Sequence, residues 1–341
     1  MTRARDVANL GNNTTNLETL DTLYGDNILT GRNLIINGAM VIDQRNATTT
    51  ANGSYTLDRW KVFKPAGAFS VVQDTEAPDG FQYSMKISNT TTGTPTSAQG
   101  GDYWTVVEGY NAAHLQWGTS NAKDVTLTFW VRSNKIGTYC LVVAHTGFSA
   151  SSTHSYVSEY TINTADTWEQ KTIHIDGPTV GTWNTTTGHG VALGWSLGQG
   201  TNFNTSTTDA WISGNKRRTT NQVEWQTLSS ANMYVTGVQL EVGDTATPFE
   251  HQSFGDELRR CQRYFYKFDT GDGTNLHAAS YAANSWVGDC YFPVTMRATP
   301  TISNTTGSYT TAASGIGKRK FYVYKNTNAV YISTFDADAE L

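Results

Sequence analysis

Hydrophobic and polar residues alternate with a period of two in several stretches of the chain. Such alternation is typical of strands that have one buried face and one wet face. Turn-forming Gly, Asn and Thr separate the stretches, so the pattern predicts antiparallel sheets packed as a sandwich or jelly roll. The clearest examples are FQYSMKIS (81–88), DVTLTFWVRS (124–133), KTIHID (171–176) and GVALGWSLG (190–198).

The alternation slips by one position in MYVTGVQLEV (233–242). Met233 and Val235 are followed by Val238 and Leu240, and Gly237 stands at the slip. A glycine at such a position predicts a β-bulge.

One stretch, FEHQSFGDELRRCQRYFYKF (249–268), has helical character. Ser253 followed by Asp256 matches a capping box with Ser253 as the N-cap. Apolar residues then recur at helical spacing, at Leu258, Cys261 and Phe265. We predict a helix from Ser253 to Tyr264 that connects two β domains.

These patterns divide the chain into three parts. Residues 1–33 are expected to form a short arm for oligomerisation or virion anchoring, ordered by a partner; a disordered leader is the alternative. The arm's apolar residues fall near three- and seven-residue spacings, at Val7, Leu10, Leu17, Leu20 and Tyr24. Residues 34–252 are predicted to form the sandwich. Residues 253–341 should add the helix and a small C-terminal β domain, which we expect neighbouring subunits to stabilise.

Composition agrees with an all-β protein. The 341 residues include 16% charged and 12% aromatic residues, with ten Trp. This is too much apolar material for a disordered chain, and large flat side chains suit the space between two sheets. Three cysteines without motif spacing, Cys140, Cys261 and Cys290, are expected to be buried free thiols.

Charge and hydropathy exclude two classes of partner. The net charge is −5 and the longest basic run is Lys216–Arg218, so nucleic-acid binding is not expected. The longest apolar run, Tyr139–Ala144, is too short to insert in a membrane. The N-terminal residues lack the apolar core of a signal peptide, so we expect synthesis in the host cytoplasm.

Several motifs resemble bacteriophage tail-fibre and other virion proteins. They lie between about 33 and 303, and TRARDVANLG (2–11) is similar to short anchors of phage fibres. The motifs are NLIINGAMVIDQR (33–45), YTLDRWKVF (55–63), VTLTFWVRSNKIGTY (125–139), EYTINTADTWEQKTIHIDG (159–177), YVTGVQLEVGDTATPFE (234–250), LRRCQRYFYK (258–267) and FPVTMRATPTIS (292–303).

The resemblance implies a jelly roll like those of carbohydrate-binding modules, carried by a virion structural protein. Such proteins commonly form homotrimers and often bind host receptors. The family supplies no catalytic residues that map onto this chain.

Catalytic and metal signals are weak, so we predict no enzyme, cofactor or metal. GWSLG (194–198) fits a nucleophile elbow, but Ser196 lies in alternating strand without a following helix.

The carboxylates, including Asp102 and Glu108, are interpreted as solvated turn groups. The histidines lack zinc-like spacing, and His174 is expected to be solvated or locally hydrogen-bonded. DTGDGTN (269–275) is interpreted as an ordinary turn.

Aromatic residues are the better binding candidates. A sugar stacks its C–H face on an aromatic ring while its hydroxyls meet short polar side chains. The candidates for carbohydrate binding are Trp183, Asn184, His189, Trp104 and Tyr110, with core or subunit-interface packing as the alternative for each aromatic.

The sequence therefore predicts a non-enzymatic phage virion protein, a homotrimeric fibre on the particle exterior. Its partners would be sister subunits, other head or tail proteins and host-surface polysaccharide. Two alternatives stay open: a purely structural decoration or connector subunit, and a polysaccharide-degrading virion enzyme.

Overall fold

The fold is that of a computed structural model, which describes residues 31–46, 52–145, 154–269, 276–277, 279–282, 285–308, 311–325 and 331–341. The predicted arm residues Val7, Leu10, Leu17, Leu20 and Tyr24 lie outside this part of the chain, as does most of the loop at 269–275.

Strands form where the side chains alternate, as the sequence predicted. They are β1 (Ser54–Tyr55), β2 (Lys61–Phe63), β3 (Ala68–Asp74), β4 (Ser84–Thr91), β5 (Gly100–Glu108), β6 (Val125–Ser133), β7 (Gly137–Ala144), β8 (His154–Ile162), β9 (Glu169–Ile175), β10 (His189–Gln199), β11 (Trp211–Ser213), β12 (Asn232–Val242), β13 (Phe265–Asp269), β14 (Leu276–His277), β15 (Ala279–Ala282), β16 (Ser285–Tyr291), β17 (Thr301–Ser308), β18 (Thr311–Ser314), β19 (Lys320–Lys325) and β20 (Tyr331–Asp338). The helices are α1 (Gly109–Ala112), α2 (Phe254–Gln262) and three 3-10 turns, Ala113–Leu115, Thr201–Phe203 and Trp225–Thr227.

Within the described residues, the strands form four antiparallel sheets. The seven-stranded sheet has the order β1-β2-β5-β10-β7-β8-β11, and the five-stranded sheet has the order β3-β4-β12-β6-β9. In the C-terminal part, β20 pairs with β13, β14 and β17, and a second sheet has the order β15-β16-β19-β18. The all-β jelly-roll sandwich with a small C-terminal β part is therefore confirmed.

The sandwich core lies between the two large sheets. Trp195 on β10 is fully buried; its ring stacks on Tyr103 at 5.2 Å and meets Phe129 edge-to-face at 5.5 Å. Tyr103 belongs to the seven-stranded sheet and Phe129 to the five-stranded sheet, so Trp195 contacts both. This position agrees with the alternation in GVALGWSLG (190–198), in which Trp195 lies on the apolar face.

The outer face of β6 differs from the expected wet face. Thr126 and Thr128 are buried because the chain after β12 folds over this face. The Thr126 hydroxyl donates to the carbonyl of Gly243 at 2.7 Å. Under the same cover, Thr247 donates to the buried Glu241.

The predicted β-bulge in β12 is confirmed. Its register with β6 shifts between Thr236 and Gln239, and Gly237 has φ +61°. A Cβ on Gly237 would lie 2.6 Å from the ring of Phe81, so both backbone conformation and space favour glycine here.

Helix α2 begins where the capping box predicted. The Ser253 hydroxyl accepts a hydrogen bond from the backbone N of Asp256 at 3.2 Å. The helix ends at Gln262, so the expected extension to Tyr264 is wrong, and Phe265 opens β13 instead. In the described residues, no helix is long and apolar enough to cross a membrane.

The C-terminal strands have an apolar core of their own, centred on Phe335, which meets Phe321 edge-to-face at 4.8 Å. The expected support from neighbouring subunits and the domain division at residue 253 stay predictions. The cysteines are buried and free, as predicted.

A buried ion pair joins the C-terminal part to the sandwich. The guanidinium of Arg59 contacts the carboxylate of Glu340, and these side chains are only 1% and 3% exposed. Arg59 also donates to the carbonyl of Val106 at 2.6 Å and lies over the ring of Tyr264, 3.6 Å from its centre. Arg45 adds a second contact to Glu340 at 3.3 Å.

We expect Glu340→Gln to lower the free energy of unfolding by about 3–5 kcal/mol, because Arg59 would stay charged in a buried site without its partner. Asp289→Asn is the matched control: Asp289 pairs with Lys320 at 2.9 Å, but these side chains are 39% and 45% exposed. Because solvent screens an exposed pair, this substitution should cost several-fold less than Glu340→Gln. Chemical denaturation followed by circular dichroism measures both, and equal losses would contradict the assigned role of Glu340.

Asp58 gives the same junction a pH dependence. Its carboxylate accepts from the backbone N and the side-chain amide of Gln44 at 2.7 and 2.5 Å. Burial nevertheless raises the pKa of Asp58 to about 6, although Arg45 and Gln44 act in the opposite direction. The folded chain holds this proton more tightly than the unfolded chain. As the pH rises from the ordinary pKa of an Asp carboxyl, 3.8, to about 6, Asp58 therefore lowers the stability of the fold increasingly.

We therefore expect the stability of Asp58→Asn, relative to wild type, to improve between pH 4 and pH 7 by roughly 2–3 kcal/mol. Denaturation curves at several pH values measure this difference. The same substitution at the exposed Asp79 should give a smaller change. If the difference in the free energy of unfolding between wild type and Asp58→Asn did not change with pH, Asp58 would not be the titrating group.

Candidate functional site

Two pockets share the short segment that joins β5 to β6. This segment holds α1 and the turn Ala113–Leu115. It is tied to the loop before β10, because the backbone N of Tyr110 donates to the carbonyl of Thr186 at 2.8 Å. Gly190 permits the close approach, since a Cβ there would lie 2.8 Å from the Cβ of Ala112. The segment is thus fixed at its start.

The first pocket, the Tyr110 pocket, has a volume of about 440 Å³. This lies within the usual range for small-molecule sites. Tyr110 is 59% exposed, so its ring is open to a ligand. The lining residues are Gly31, Asn33, Leu34, Ile36, Tyr110, Asn111, His114, Arg260, Arg263 and Tyr264.

Charges beside the Tyr110 pocket are paired within the protein. The buried carboxylate of Glu108 accepts from Arg263 at 2.7 and 2.9 Å and from the hydroxyl of Tyr264 at 2.6 Å. Arg260 donates to Glu257 at 3.4 Å and to the carbonyl of Asn33 at 3.2 Å. The pocket therefore suits a neutral ligand with many hydrogen-bonding groups better than a strongly charged one.

The second pocket, the tryptophan pocket, is smaller and more apolar. Its volume is about 250 Å³. Exposed polar side chains at its rim surround an apolar floor. The lining residues are Ala112, Ala113, Leu115, Gln116, Trp117, Thr119, Trp183, Asn184, Thr185, Gly190 and Val191.

Three indole rings support the tryptophan pocket. Trp117, Trp183 and Trp211 meet edge-to-face, with ring centres 4.8 to 5.5 Å apart. Their N–H groups donate to backbone carbonyls: Trp117 to Lys123, Trp183 to Val180 and Trp211 to Asp176. This end of the sandwich is therefore closed by a packed aromatic cluster.

The residues predicted for sugar binding fall in three places. Trp183 and Asn184 lie together in the tryptophan pocket, where the Trp183 ring is only 8% exposed. Trp104 and His189 are neighbours, with ring centres 6.4 Å apart, and Trp104 is 7% exposed. Tyr110 lines the other pocket. The binding role of each residue stays a prediction.

Sequence patterns did not single out several residues of these pockets. Trp117 follows a short helix, and no alternation marks it. Arg263 falls within the helix predicted from Ser253 to Tyr264, but its contact with Glu108 spans 155 residues of sequence. The available signal for Trp117 was its type, a large aromatic among short polar residues in HLQWGTS (114–120).

Two carboxylates correct the sequence interpretation. Asp102 and Glu108 are 0% and 1% exposed and pair with Arg217 and Arg263, so the expectation of solvated turn groups is wrong. Their partners lie far along the sequence, which alternation cannot reveal. Ser196 lies within β10 and is 1% exposed, which agrees with the predicted strand.

One surface cluster contains groups that bind metals. Asp124, His174 and Asp176 are all exposed, and one ligand atom from each lies within 4.8 Å of the others. His174 Nε2 is 3.2 Å from Asp176 Oδ1, so the expected local contact of this exposed histidine is confirmed. The backbone N of Gly177 donates to Asp124 at 2.7 Å.

Comparisons with known proteins give remote likenesses. No protein-family model matches the chain, and no curated protein sequence is similar to it.

Solved structures with a similar arrangement include the enzymatically active domain of bacteriophage CBA120 tailspike protein 4, at 11% identity and TM-score 0.33, over 62% of this chain and 21% of that one. The chain therefore spans about a fifth of the tailspike. A CBM4 carbohydrate-binding module matches at 14% identity and TM-score 0.31, over 61% of this chain and 98% of that one. The CBM22-2 xylan-binding domain of Paenibacillus barcinonensis matches at 14% identity and TM-score 0.32, over 56% and 94%.

Proposed function

We propose that this chain is a non-enzymatic bacteriophage virion protein that binds host-surface glycan through the Tyr110 pocket. The observation that carries the proposal is the exposed ring of Tyr110 at a 440 Å³ pocket lined with hydrogen-bonding side chains. An exposed aromatic face offers stacking to the C–H face of a sugar, and Asn33, Asn111 and His114 offer partners for its hydroxyls.

The virion context of the proposal rests on the sequence resemblance to phage fibre proteins. In this proposal the chain forms a homotrimer on the particle exterior, and its N-terminal arm binds another head or tail protein. Three linked copies of one weak site bind a surface polymer far more tightly than a single copy does, because the later contacts form at high effective concentration.

We expect Tyr110→Ala to weaken binding of host-surface polysaccharide about tenfold, the loss of one stacking contact. Tyr291→Ala is a matched control, because Tyr291 is a similarly exposed tyrosine, 64% against 59%, in the C-terminal part. Isothermal titration calorimetry of both variants and wild type measures the effect. Unchanged affinity in Tyr110→Ala, or an equal loss in both variants, would overturn the assignment of this pocket.

Removing residues 1–30 should abolish incorporation into particles and leave a folded protein. Folding should persist because the contacts of Asn33 and Gly31 with Glu250 remain in the shortened chain. The matched variant keeps the length and replaces Val7, Leu10, Leu17, Leu20 and Tyr24 by Ser. Quantitative blots of purified particles give the number of copies of the protein per particle. Normal incorporation of both variants would contradict the anchoring proposal.

The two alternatives give different results in the same preparations. A decoration or connector subunit would be incorporated but would bind no glycan. An enzyme would release oligosaccharides when incubated with host polysaccharide. Separately, light scattering of the full chain measures its mass in solution and so tests the proposed trimer.

A further inference from the structure

The floor of the tryptophan pocket presents carbon to a ligand. The accessible part of this floor comes from Trp117 and Trp183, which are 7% and 8% exposed, and from the half-buried Ala113; Leu115 and Val191 also line the pocket but are only 0% and 1% exposed. The indole N–H groups of the two tryptophans already donate to backbone carbonyls at 2.7 and 3.2 Å. A sugar hydroxyl against this floor would lose its water partners and find few replacements, whereas a methyl group would be well accommodated.

The rim of the same pocket carries primary amides. Gln116 and Asn184 are exposed, and Thr119 and Thr185 add hydroxyls. The backbone N of Thr186 donates to Oδ1 of Asn184 at 2.8 Å, which fixes the orientation of this side-chain amide. The NH₂ group of Asn184 is then the part that can donate to a ligand. Amides both donate and accept, which matches the two polar groups of another amide.

Methyl on the inside and amide at the rim is the pattern of an acetamido group. We infer that the tryptophan pocket is a second subsite of the proposed glycan site and binds the acetamido group of an N-acetylated sugar. The inference rests on the proposed function. It is supported by the shared wall, since Tyr110 and Asn111 line one pocket while Ala112 and Ala113 line the other.

The test uses the full chain and three β-1,4-linked tetrasaccharides that differ only at C2, which carries a hydroxyl, an amino or an acetamido group. The acetamido probe should bind about tenfold more tightly than the hydroxyl probe, the usual discrimination for a small apolar group in a fitted pocket. Isothermal titration calorimetry gives each affinity.

Two variants separate the pockets. Ala113 is helical and half-buried, so Ala113→Leu fills the tryptophan pocket with a side chain that the helix accepts. It should remove the preference for the acetamido probe, so that the acetamido and hydroxyl probes bind this variant with equal affinity. Gln116→Ala deletes a rim amide from an exposed position and should reduce the same preference several-fold. Thermal melts confirm that each variant is folded.

Equal affinity for the acetamido and hydroxyl probes, or a preference that survives Ala113→Leu, would overturn the inference. So would a 6-deoxy sugar that binds as tightly as the acetamido probe, since a methyl group alone would then suffice. Absence of binding to all three probes also overturns it, while binding of host polysaccharide that depends on Tyr110 would keep the proposed function. Binding of the probes that is insensitive to Tyr110→Ala, with a preference still abolished by Ala113→Leu, would overturn the Tyr110 assignment alone.

Discussion

The buried ion pair of Arg59 and Glu340 is the interaction on which the arrangement of the two β parts depends. Two charges removed from water are tolerated only when each meets its partner and their remaining groups are hydrogen-bonded. Arg59 meets its partner Glu340 and donates to the carbonyl of Val106, and its guanidinium lies over the ring of Tyr264, while its buried Nε has no hydrogen-bond partner among the described residues. With the C-terminal part held against the sandwich in this way, the segment after α2 lies beside β5. Arg263 and Tyr264 in this segment donate to the buried Glu108. The Tyr110 pocket therefore depends on the junction, because Arg263 and Tyr264 form part of its lining.

The sandwich contributes a rigid frame to this arrangement. Large aromatic side chains from both sheets pack around Trp195, and such packing tolerates little change in volume. Segments that follow the strands cover the outer faces, as the buried Thr126 shows. The two pockets are accordingly lined by segments at the ends of the strands, and α1 is one of them. This division is common in β-sandwiches, where a packed scaffold positions the loops that bind.

Local patterns predicted the parts of the fold that local chemistry decides. Period-two alternation identified β6 and β10, the phase slip at Gly237 identified the bulge, and Ser253 identified the start of α2. The burial of Glu108 could not be predicted in this way, because its partner Arg263 is 155 residues away. Trp183 shows the same limit: the sequence left sugar binding and core packing open for this residue, and Trp117 and Trp211 from distant segments pack against its ring. Of the candidate site, the sequence therefore identified residue types in loops, and tertiary packing determined which faces stay open.

The two pockets share one wall, and that wall is short and held on both flanks. Its start is bonded to the loop before β10 through Tyr110 and Thr186, and its end is fixed by Trp117, whose N–H donates to Lys123. A wall fixed at both ends loses little conformational freedom when a ligand binds, so more of the contact energy contributes to affinity. The same rigidity fixes the positions of the two pockets relative to each other. If the proposed function holds, a polar pocket and an apolar pocket at a fixed separation would select for the pattern of polar and apolar groups along a glycan, which neither pocket could select alone.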